Sequence, residues 1–213
     1  MASRATSEAR IVRLSGEELL TRRAEIAAIY RAVFTGPPYR ESELDVAWFE
    51  RALRRHVERE AFRVVAAVTG PPRRRSARSA VGQVVGFAFG ASGKAGEGWY
   101  DMIRARLPEE VAAAWMGPQE GWPFELMELA VLPAWQGSGI GGRLHDALLD
   151  GLPHPAALLT TAAEETTATH LYRSRGWVEL AAPFTFHGSD VRFVLMGLRL
   201  HNSQMPKRSR RVV

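Results

Sequence analysis

The sequence predicts a mixed α/β fold, on three observations. A strand, helix, strand unit lies in the middle of the chain, two joined β-rich runs precede it, and an apolar hairpin closes the chain. A crossover helix makes the strands on either side of it parallel, whereas a short loop makes its strands antiparallel. We therefore expect a twisted, mostly antiparallel sheet with a central parallel pair and flanking helices.

Length and composition indicate one domain. The 213 residues are enough for one sizeable core, no long polar linker divides them, and 46% hydrophobic with 24% charged residues is ordinary for a globular protein. We expect a single domain over 1–200, with an insertion at about 93–122. We expect the basic tail over 201–213 to be disordered.

Residue usage excludes several classes of protein. The chain has no cysteine, which rules out disulfides and a cysteine nucleophile and is typical of a reducing, cytoplasmic location. It has no apolar stretch of about 18 residues and no signal peptide, so we expect no membrane partner. The six histidines show no metal-ligand spacing, and we predict no metal.

The net charge of +5 comes largely from two basic runs, Pro71–Ser79 and Lys207–Val213. Neither run alternates with aromatic residues or lies on a helical face, as nucleic-acid-binding segments commonly do. We interpret both as solvated segments and expect no nucleic-acid partner. A basic protein also suits an anionic cofactor.

The first half of the chain begins with a short predicted strand over 9–14 and a helix over 15–34. Ser15 and Glu18 stand in capping-box spacing at the start of that helix. Two prolines break the pattern, and Ser42 caps a second helix. The predicted core face of the second helix consists of Leu44, Trp48, Ala52 and Leu53.

Two antiparallel strands, at 61–70 and 80–92, come next. The insertion after them contains a predicted helix at 108–116. Long inserted segments are often lids or binding loops, and many are only tolerated additions.

The central unit starts with a strand at 123–133, whose two alternating faces are apolar apart from two glutamates. A strand of this kind is buried on both sides. The helix after it has one apolar face, so we expect His145 and Asp146 on the opposite face to be solvated. A strand at 156–161, a helix ended by Gly176 and the closing hairpin complete the fold.

Glycines crowd the start of the central helix, at positions 137, 139, 141 and 142. A helix N-terminus presents backbone N–H groups without intrahelical partners, and glycines let an anion approach them closely. The turn is therefore similar to a pyrophosphate cradle. It lacks the lysine of a P-loop, and its place two-thirds along the chain argues against a dinucleotide-binding domain.

Two stretches resemble motifs of the GCN5-related N-acetyltransferases. The stretch ELAVLPAWQGSGIGGRLHDALL is similar to motif A, whose signature is Q/R-x-x-G-x-G/A, with Gln136, Gly139 and Gly141 at its fixed positions. The stretch ATHLYRSRGW resembles the second motif, an A-x-x-L/F-Y-x-x-x-G-F/W pattern. The resemblance covers 125–180 closely. Glu165 departs from it, since many members carry asparagine seven residues before the tyrosine.

The resemblance implies acetyl-CoA as the acetyl donor and a splayed central strand pair. The pyrophosphate would bind the backbone N–H groups of the glycine turn. The pantetheine arm would lie between the strands 125–131 and 157–161, where the backbone would polarise the thioester carbonyl. The implied donor-binding residues are Leu129, Ala130, Val131, Gln136, Gly137, Ser138, Gly139, Ile140, Gly141 and Tyr172.

Three residues are candidates for proton transfer. Tyr172, in the second motif, would give a proton to the departing thiolate, although a tyrosine at this place could also be a core residue. Glu125 and Glu128 are candidate bases, because a carboxylate in an apolar strand is costly without a partner or a function. They are three apart, so we expect them to face opposite sides of the sheet and only one to reach the acceptor. We place Glu125 slightly ahead, and Glu128 could instead pair with an arginine.

We predict an N-acetyltransferase that transfers an acetyl group from acetyl-CoA to a primary amine by direct attack, without a covalent enzyme intermediate. The alternative is a non-catalytic acyl-CoA-binding sensor or interaction domain. The acceptor stays open between a small-molecule amine and a peptide, and the oligomeric state between a monomer and a homodimer formed through the hairpin that turns at 188–190. Four aromatic residues of the insertion either line the acceptor pocket or anchor the insertion on the core: Trp99, Tyr100, Trp115 and Trp122.

Overall fold

A computed structural model describes residues 9–70, 82–117, 121–186 and 189–200 of the chain. In these residues eight strands form one sheet: β1 Arg10–Leu14, β2 Arg63–Val68, β3 Val84–Ser92, β4 Phe124–Val131, β5 Ala156–Ala162, β6 Val178–Glu179, β7 Phe184–Thr185 and β8 Arg192–Arg199. The helices of the same residues are α1 Gly16–Thr21, α2 Arg23–Phe34, α3 Glu43–Val57, α4 Gly98–Arg104, α5 Glu109–Met116, α6 Ile140–Leu149 and α7 Thr167–Arg173. The predicted fold class is confirmed. Both basic runs, the C-terminal tail and the tip of the closing hairpin lie outside the described residues.

The sheet is antiparallel except at its centre. Its strands follow the order β1-β2-β3-β4-β5-β8-β6, with β7 also paired to β8. β4 and β5 are parallel, and they are in register only at Phe124 with Ala157 and at Glu125 with Leu158. Beyond those two positions the strands separate, so a gap opens towards their carboxyl ends.

A β-bulge interrupts β4 where it pairs with β3. The register shifts between Phe89 and Gly90 of β3, which leaves Met127 as an extra residue on β4. A bulge resets the alternation of side chains by one position. Glu125 and Glu128 therefore lie on the same face of the sheet and line the same cavity, and the prediction that they face opposite sides is wrong.

Side-chain caps start the N-terminal helices where the sequence predicts. Ser15 forms a capping box with Glu18, and Ser42 forms one with Asp45. The single helix predicted over the first of these segments is divided, because Arg22 has backbone angles of −101° and 12°, outside the helical range.

The core face of α3 matches the predicted one only in part, at Ala52 and Leu53, which are buried. Leu44 and Trp48 of the predicted face are 80% and 56% exposed. The buried stripe includes Leu53 and Phe49, whose ring stacks on Tyr30 of α2 with 3.8 Å between centroids. Both stripes have helical spacing, so sequence periodicity alone does not choose between them.

Helices pack on both faces of the sheet. α1, α2 and α3 cover one face, and α6 and α7 cover the other. The insertion forms α4 in addition to the one helix predicted there, and both of its helices build a third core on Leu158 of β5 and Leu195 of β8. Within the described ranges, no helix is long and apolar enough to span a membrane.

β8 is an interior strand of the described sheet. It pairs with β5 along one edge and with β6 and β7 along the other. A strand paired along both edges offers no ladder to a second copy of the chain. Edge-to-edge pairing of a second copy along β8 is therefore not available in the described sheet, and the oligomeric state stays open between a monomer and a homodimer.

His145 of α6 is buried, and the prediction that it is solvated is wrong. The indole N–H of Trp177 donates to His145 Nε2 over 2.9 Å, and His145 Nδ1 lies 2.8 Å from Asp146 Oδ1. Since Nε2 accepts, Nδ1 carries the proton and donates it to Asp146. Arg175 pairs with the same, largely exposed Asp146 at 2.7 Å. These contacts join α6 to the segment after α7 at two points.

Leu53→Ala should lower the free energy of unfolding by about 2–5 kcal/mol, because it removes a buried side chain from a packed core. Leu44→Ala, on the same helix but on its exposed side, should change it by less than about 0.5 kcal/mol. Chemical denaturation of both variants beside the parent protein measures the two effects. Equal losses would contradict the observed orientation of α3.

Candidate active site

The glycine turn joins β4 to α6 and is held by its own side chains. The Gln136 amide donates to the Val131 carbonyl over 2.9 Å, and the Ser138 hydroxyl donates over 2.5 Å to a carbonyl at the start of the turn. Gly137 and Gly139 have φ angles of 72° and 78°. Side chains other than glycine are strained in this left-handed region, so the path of the turn explains the glycines.

The turn presents a row of free backbone donors. Among the described residues, nothing accepts a hydrogen bond from the N–H groups of residues 137–142. Adjacent residues aside, no atom lies within 4 Å of a Cβ built on Gly137 or Gly139, so the space before them is open. The positive end of the α6 dipole lies at the same place. Free N–H groups at a helix N-terminus are compatible with the predicted pyrophosphate cradle, which stays a prediction.

A cavity of about 150 Å³, the turn cavity, adjoins the glycine turn. Its walls come from β4, the turn, the end of α2 and the start of α7. Five predicted donor-binding residues line it: Leu129, Val131, Gln136, Gly137 and Gly141. The backbone edge of β4 that faces β5 has no strand partner beyond Glu125 in the described sheet, so it is open to a ligand.

The remaining predicted donor-binding residues take other positions. Ser138 and Gly139 lie in the exposed part of the turn. The Ala130 and Ile140 side chains are buried in the two cores on opposite faces of the sheet. These two residues can therefore offer only backbone atoms to a ligand.

Tyr172 is buried on α7, with its ring against His145 and Trp177 at centroid distances of 6.2 and 5.6 Å. Its hydroxyl has no hydrogen-bond partner among the described residues. Burial raises the pKa of Tyr172, and the nearby Tyr39 and Glu128 raise it further. The phenol is thus fully protonated at neutral pH and lies within electrostatic reach of the central glutamate.

The loop between α2 and α3 brings two further residues to the site. Arg40 and Glu41 are tied back by backbone hydrogen bonds to Gly36 and Phe34, of 3.0 and 2.9 Å. Arg40 has a φ of 54°, a left-handed conformation that a non-glycine residue adopts at a cost of about 1–3 kcal/mol and that clusters at functional sites. In the sequence, the two prolines of this loop indicate only a helix break, and no local pattern marks Arg40 or Glu41 as site residues.

Tyr39 of this loop lies at the junction of the site. Its hydroxyl is 3.1 Å from Thr161 Oγ1 on β5. It lines both the turn cavity and a second cavity of about 870 Å³, which we term the loop cavity. Burial raises the pKa of Tyr39. The ring therefore forms a wall shared by the two cavities.

A third cavity of about 580 Å³, the strand cavity, lies over the bulged part of β4. Trp48 and Phe186 line both the strand cavity and the loop cavity, so the two adjoin. Glu125 and Glu128 line the strand cavity. Tyr39 lines the turn cavity and the loop cavity, and the strand cavity adjoins the loop cavity at Trp48 and Phe186.

Glu125 is the glutamate that pairs with an arginine. Arg59 Nη2 lies 2.6 Å from its Oε2 and also donates to the Ser92 carbonyl over 3.0 Å. Arg59 Nε is 3.3 Å from Glu97 at the start of α4, so the pair links β4 to the insertion. Burial raises the pKa of Glu125, and Arg59 opposes that rise.

Glu128 has no hydrogen bond or ion pair within the described residues. Burial raises its pKa well above the usual value, and the negative charges of Glu41 and Glu125 add to the rise. An unpaired carboxylate with a raised pKa in a cavity is the usual environment of a general base. The arginine partner that the sequence analysis considered for Glu128 belongs to Glu125.

His56 also lines the strand cavity and was missed in the sequence. Burial, helped by Arg59 and Arg55, lowers its pKa to about 4, so the imidazole is neutral at pH 7. No group of three metal-ligating side chains occurs in the residues that the structure describes.

The aromatic residues of the insertion divide between the two predicted roles. Trp99 lines the strand cavity, and its indole N–H lies 3.4 Å from Thr160 Oγ1. Tyr100 is buried, and its hydroxyl donates to the Met116 carbonyl. Trp115 and Trp122 pack in the core of the insertion. One of the four therefore borders the site, and three anchor the insertion.

Comparison with known proteins identifies the class of this fold and site. Residues 111–200 match the model of the acetyltransferase (GNAT) domain. A GCN5-like protein acetyltransferase of Mycobacterium tuberculosis is 26% identical over 209 residues, which span 89% of this chain and 97% of the relative. The family model and this relative both agree with the resemblance to GNAT acetyltransferases that the two motifs indicate.

Solved structures share the fold over almost their whole length. Arabidopsis thaliana NAA60 in complex with acetyl-CoA has a TM-score of 0.58 at 16% identity, with 90% of this chain and 98% of that chain covered. The NatC complex bound to Gag peptide and CoA has a TM-score of 0.60 at 15% identity, with 91% of this chain and 99% of that chain covered. The structure of yncA of Salmonella typhimurium with acetyl-CoA has a TM-score of 0.55 at 18% identity, with 95% of this chain and 99% of that chain covered.

Proposed function

We propose that this protein transfers an acetyl group from acetyl-CoA to a primary amine by direct attack, without a covalent enzyme intermediate. One observation carries the proposal: Tyr39 is a wall shared by the turn cavity and the loop cavity, and the loop cavity adjoins the strand cavity, which the unpaired Glu128 lines. This arrangement suits two substrates that meet at the gap between β4 and β5. Complexes of NAA60, NatC and yncA with acetyl-CoA or CoA support the choice of donor.

The residues of the turn fit a CoA pyrophosphate. The N–H groups of 137–142 would hold the phosphates, and glycine at 137 and 139 keeps the approach clear. The bound donor supplies the reactive acetyl thioester. The unpaired edge of β4 near Ala130 and Val131 would donate N–H groups to the thioester carbonyl and stabilise negative charge as it develops there.

Glu128 is our proposed base. The acceptor amine is an ammonium ion at neutral pH and must lose a proton before its lone pair can attack. The Glu128 carboxylate takes that proton, and its raised pKa makes it a better acceptor than an ordinary glutamate. Glu125 would hold Arg59 and the insertion in place, as a positioning residue, instead of acting as the base.

Tyr172 is our proposed acid. Its protonated phenol would give a proton to the sulfur as the C–S bond breaks. The nitrogen of the ammonium ion loses two protons in all. Glu128 takes the first and releases it to solvent, and the second restores the phenol of Tyr172, which has given its own proton to the thiolate.

A non-catalytic sensor would need the glycine turn but neither Glu128 nor Tyr172. The cytoplasmic location and the oligomeric state stay predictions.

Release of free CoA thiol from acetyl-CoA in the presence of a panel of primary amines tests the proposed function directly. We expect thiol release to depend on the amine and on enzyme concentration. Binding of acetyl-CoA without thiol release from any amine would favour the sensor instead.

Gly139→Asp should weaken acetyl-CoA binding more than tenfold, or by more than about 1.4 kcal/mol, because it places a carboxylate where the phosphates bind. Gly151→Asp is a matched control, since Gly151 has a φ of 64° and equally open space at the other end of α6. Calorimetric titration measures both affinities. Equal affinities in two folded variants would remove the turn from the donor site.

Glu128→Gln should lower kcat/KM by about 10²–10⁴-fold and abolish the acidic limb of its pH profile, which reports ionisation of the base. Glu125→Gln should keep that limb, because Glu128 is retained, and should mainly lower the melting temperature. Steady-state kinetics over pH 5–9 separates the two glutamates. Loss of the limb in the Glu125 variant alone would reverse the assignment.

Tyr172→Phe should lower kcat by about 10²-fold or somewhat less, at the low end for general acid catalysis, with acetyl-CoA affinity nearly unchanged. Stability should stay close to that of the parent, because the hydroxyl has no hydrogen-bond partner in the described residues to lose. Tyr100→Phe is the control, with the opposite pattern expected: a lower melting temperature and a normal kcat. A normal kcat in the Tyr172 variant would make Tyr172 a core residue only.

A further inference from the structure

Glu41 is a carboxylate at the loop cavity that the mechanism above does not use. The backbone bond from its N–H to the Phe34 carbonyl fixes its position at the end of the α2–α3 loop. Its Oε2 atom is inaccessible to solvent and has no hydrogen-bond partner among the described residues. The Tyr30 phenol lies against the same carboxylate. A buried acceptor without a donor is costly, and a ligand that supplies a donor removes that cost.

The surroundings of Glu41 favour a cation as that ligand. Four carboxylates line the loop cavity against two guanidinium groups, those of Arg40 and Arg192. Tyr30, Tyr39 and Trp48 add aromatic rings to its walls. Aromatic faces attract ammonium and guanidinium groups, and a partly desolvated carboxylate binds them by charge-assisted hydrogen bonds.

Glu128 connects this cavity to the reaction. It lies on the bulged strand within electrostatic reach of Glu41, and it has no hydrogen bond or ion pair in the described residues, whereas Glu41 has the Tyr30 phenol beside it. Two coupled carboxylates without a cation between them repel each other, and a shared ammonium ion relieves that repulsion. The charge of Glu125 is already matched by Arg59, so it does not compete for the ligand.

Resting on the proposed function, we propose that Glu41 binds the acceptor as an ammonium ion and hands it to Glu128. The enzyme therefore selects strongly basic primary alkylamines, which carry a charge at pH 7, over weakly basic aromatic amines, which do not. The bound ammonium gives one proton to the Glu128 carboxylate, and the resulting neutral amine attacks. Glu41 itself takes no proton and is a positioning residue.

Kinetics with two acceptors of similar size tests the proposal: phenethylamine, an ammonium ion at pH 7, and aniline, which is neutral. Glu41→Gln should raise the KM for phenethylamine about tenfold or more and leave that for aniline unchanged, because it removes one charge-assisted bond. Glu43→Gln is the matched control, since Glu43 is exposed and pairs with Arg31 at 3.0 Å.

The pH profile gives a second readout that a purely structural role would not move. The negative charge of Glu41 raises the pKa of Glu128, so Glu41→Gln should lower that pKa and shift the acidic limb of kcat/KM to lower pH. The other groups near Glu128 are unchanged by this substitution. They are Glu125 and Arg59, the neutral His56, and the phenols Tyr30, Tyr39 and Tyr172.

The outcomes distinguish a failure of this inference about Glu41 from a failure of the proposed acetyl transfer. Turnover of aniline in preference to phenethylamine, or a Glu41→Gln variant with the parent's KM and pH profile, would overturn this inference and leave acetyl transfer intact. No turnover of any amine by the parent protein would overturn the proposed function instead. If Glu41→Gln does not fold, the parent alone decides: phenethyltrimethylammonium should compete with phenethylamine, and its uncharged carbon analogue should not.

Discussion

The separation of β4 from β5 is the constraint on which the rest of the site depends. Parallel strands normally pair along their length, and here the pairing stops after two positions. The backbone groups that would have formed the ladder stay free, which is costly in a buried sheet unless a ligand or another group binds them. The glycine turn, the shared wall of Tyr39 and the bulge with its glutamates all lie around this opening.

Electrostatics divides the opening into two unlike halves. On the turn side, backbone N–H groups and the α6 dipole make a positive surface. On the other side, carboxylates are crowded in a partly desolvated space, and only Glu125 has a buried arginine to match it. The two halves therefore suit ligands of opposite charge, with Tyr39 as a wall shared by the turn cavity and the loop cavity.

Local signals in the sequence were enough for much of the fold. The capping boxes at Ser15 and Ser42, the left-handed Gly176 and the glycines of the turn each follow from a few adjacent residues, and all appear where expected. The central parallel pair and the antiparallel strands around it followed from connection rules that hold for nearly all sheets. The donor half of the site was predictable for the same reason, since it lies on one continuous stretch of chain.

The acceptor half was not predictable in this way, because it is assembled from distant segments. A single extra residue at Met127 turns Glu128 to the face of Glu125, and no local pattern marks the bulge. Glu41 and Tyr39 reach the site only through the fold of their loop. His145 was misjudged because its partner, Trp177, lies 32 residues away in sequence. Two helical stripes on α3 were equally periodic, and only the packing partner Tyr30 decided between them.

The two links between α6 and the segment after α7 have a consequence for how such an enzyme can diversify. His145 with Trp177, and Asp146 with Arg175, bind the helix of the glycine turn to the helix of Tyr172. Donor cradle and phenol therefore form one mechanical unit that keeps its internal distances. The α2–α3 loop and the insertion meet the site from outside that unit. Substitutions there can therefore change the cavities around Glu41 and Trp99 without touching the contacts between α6 and the segment after α7.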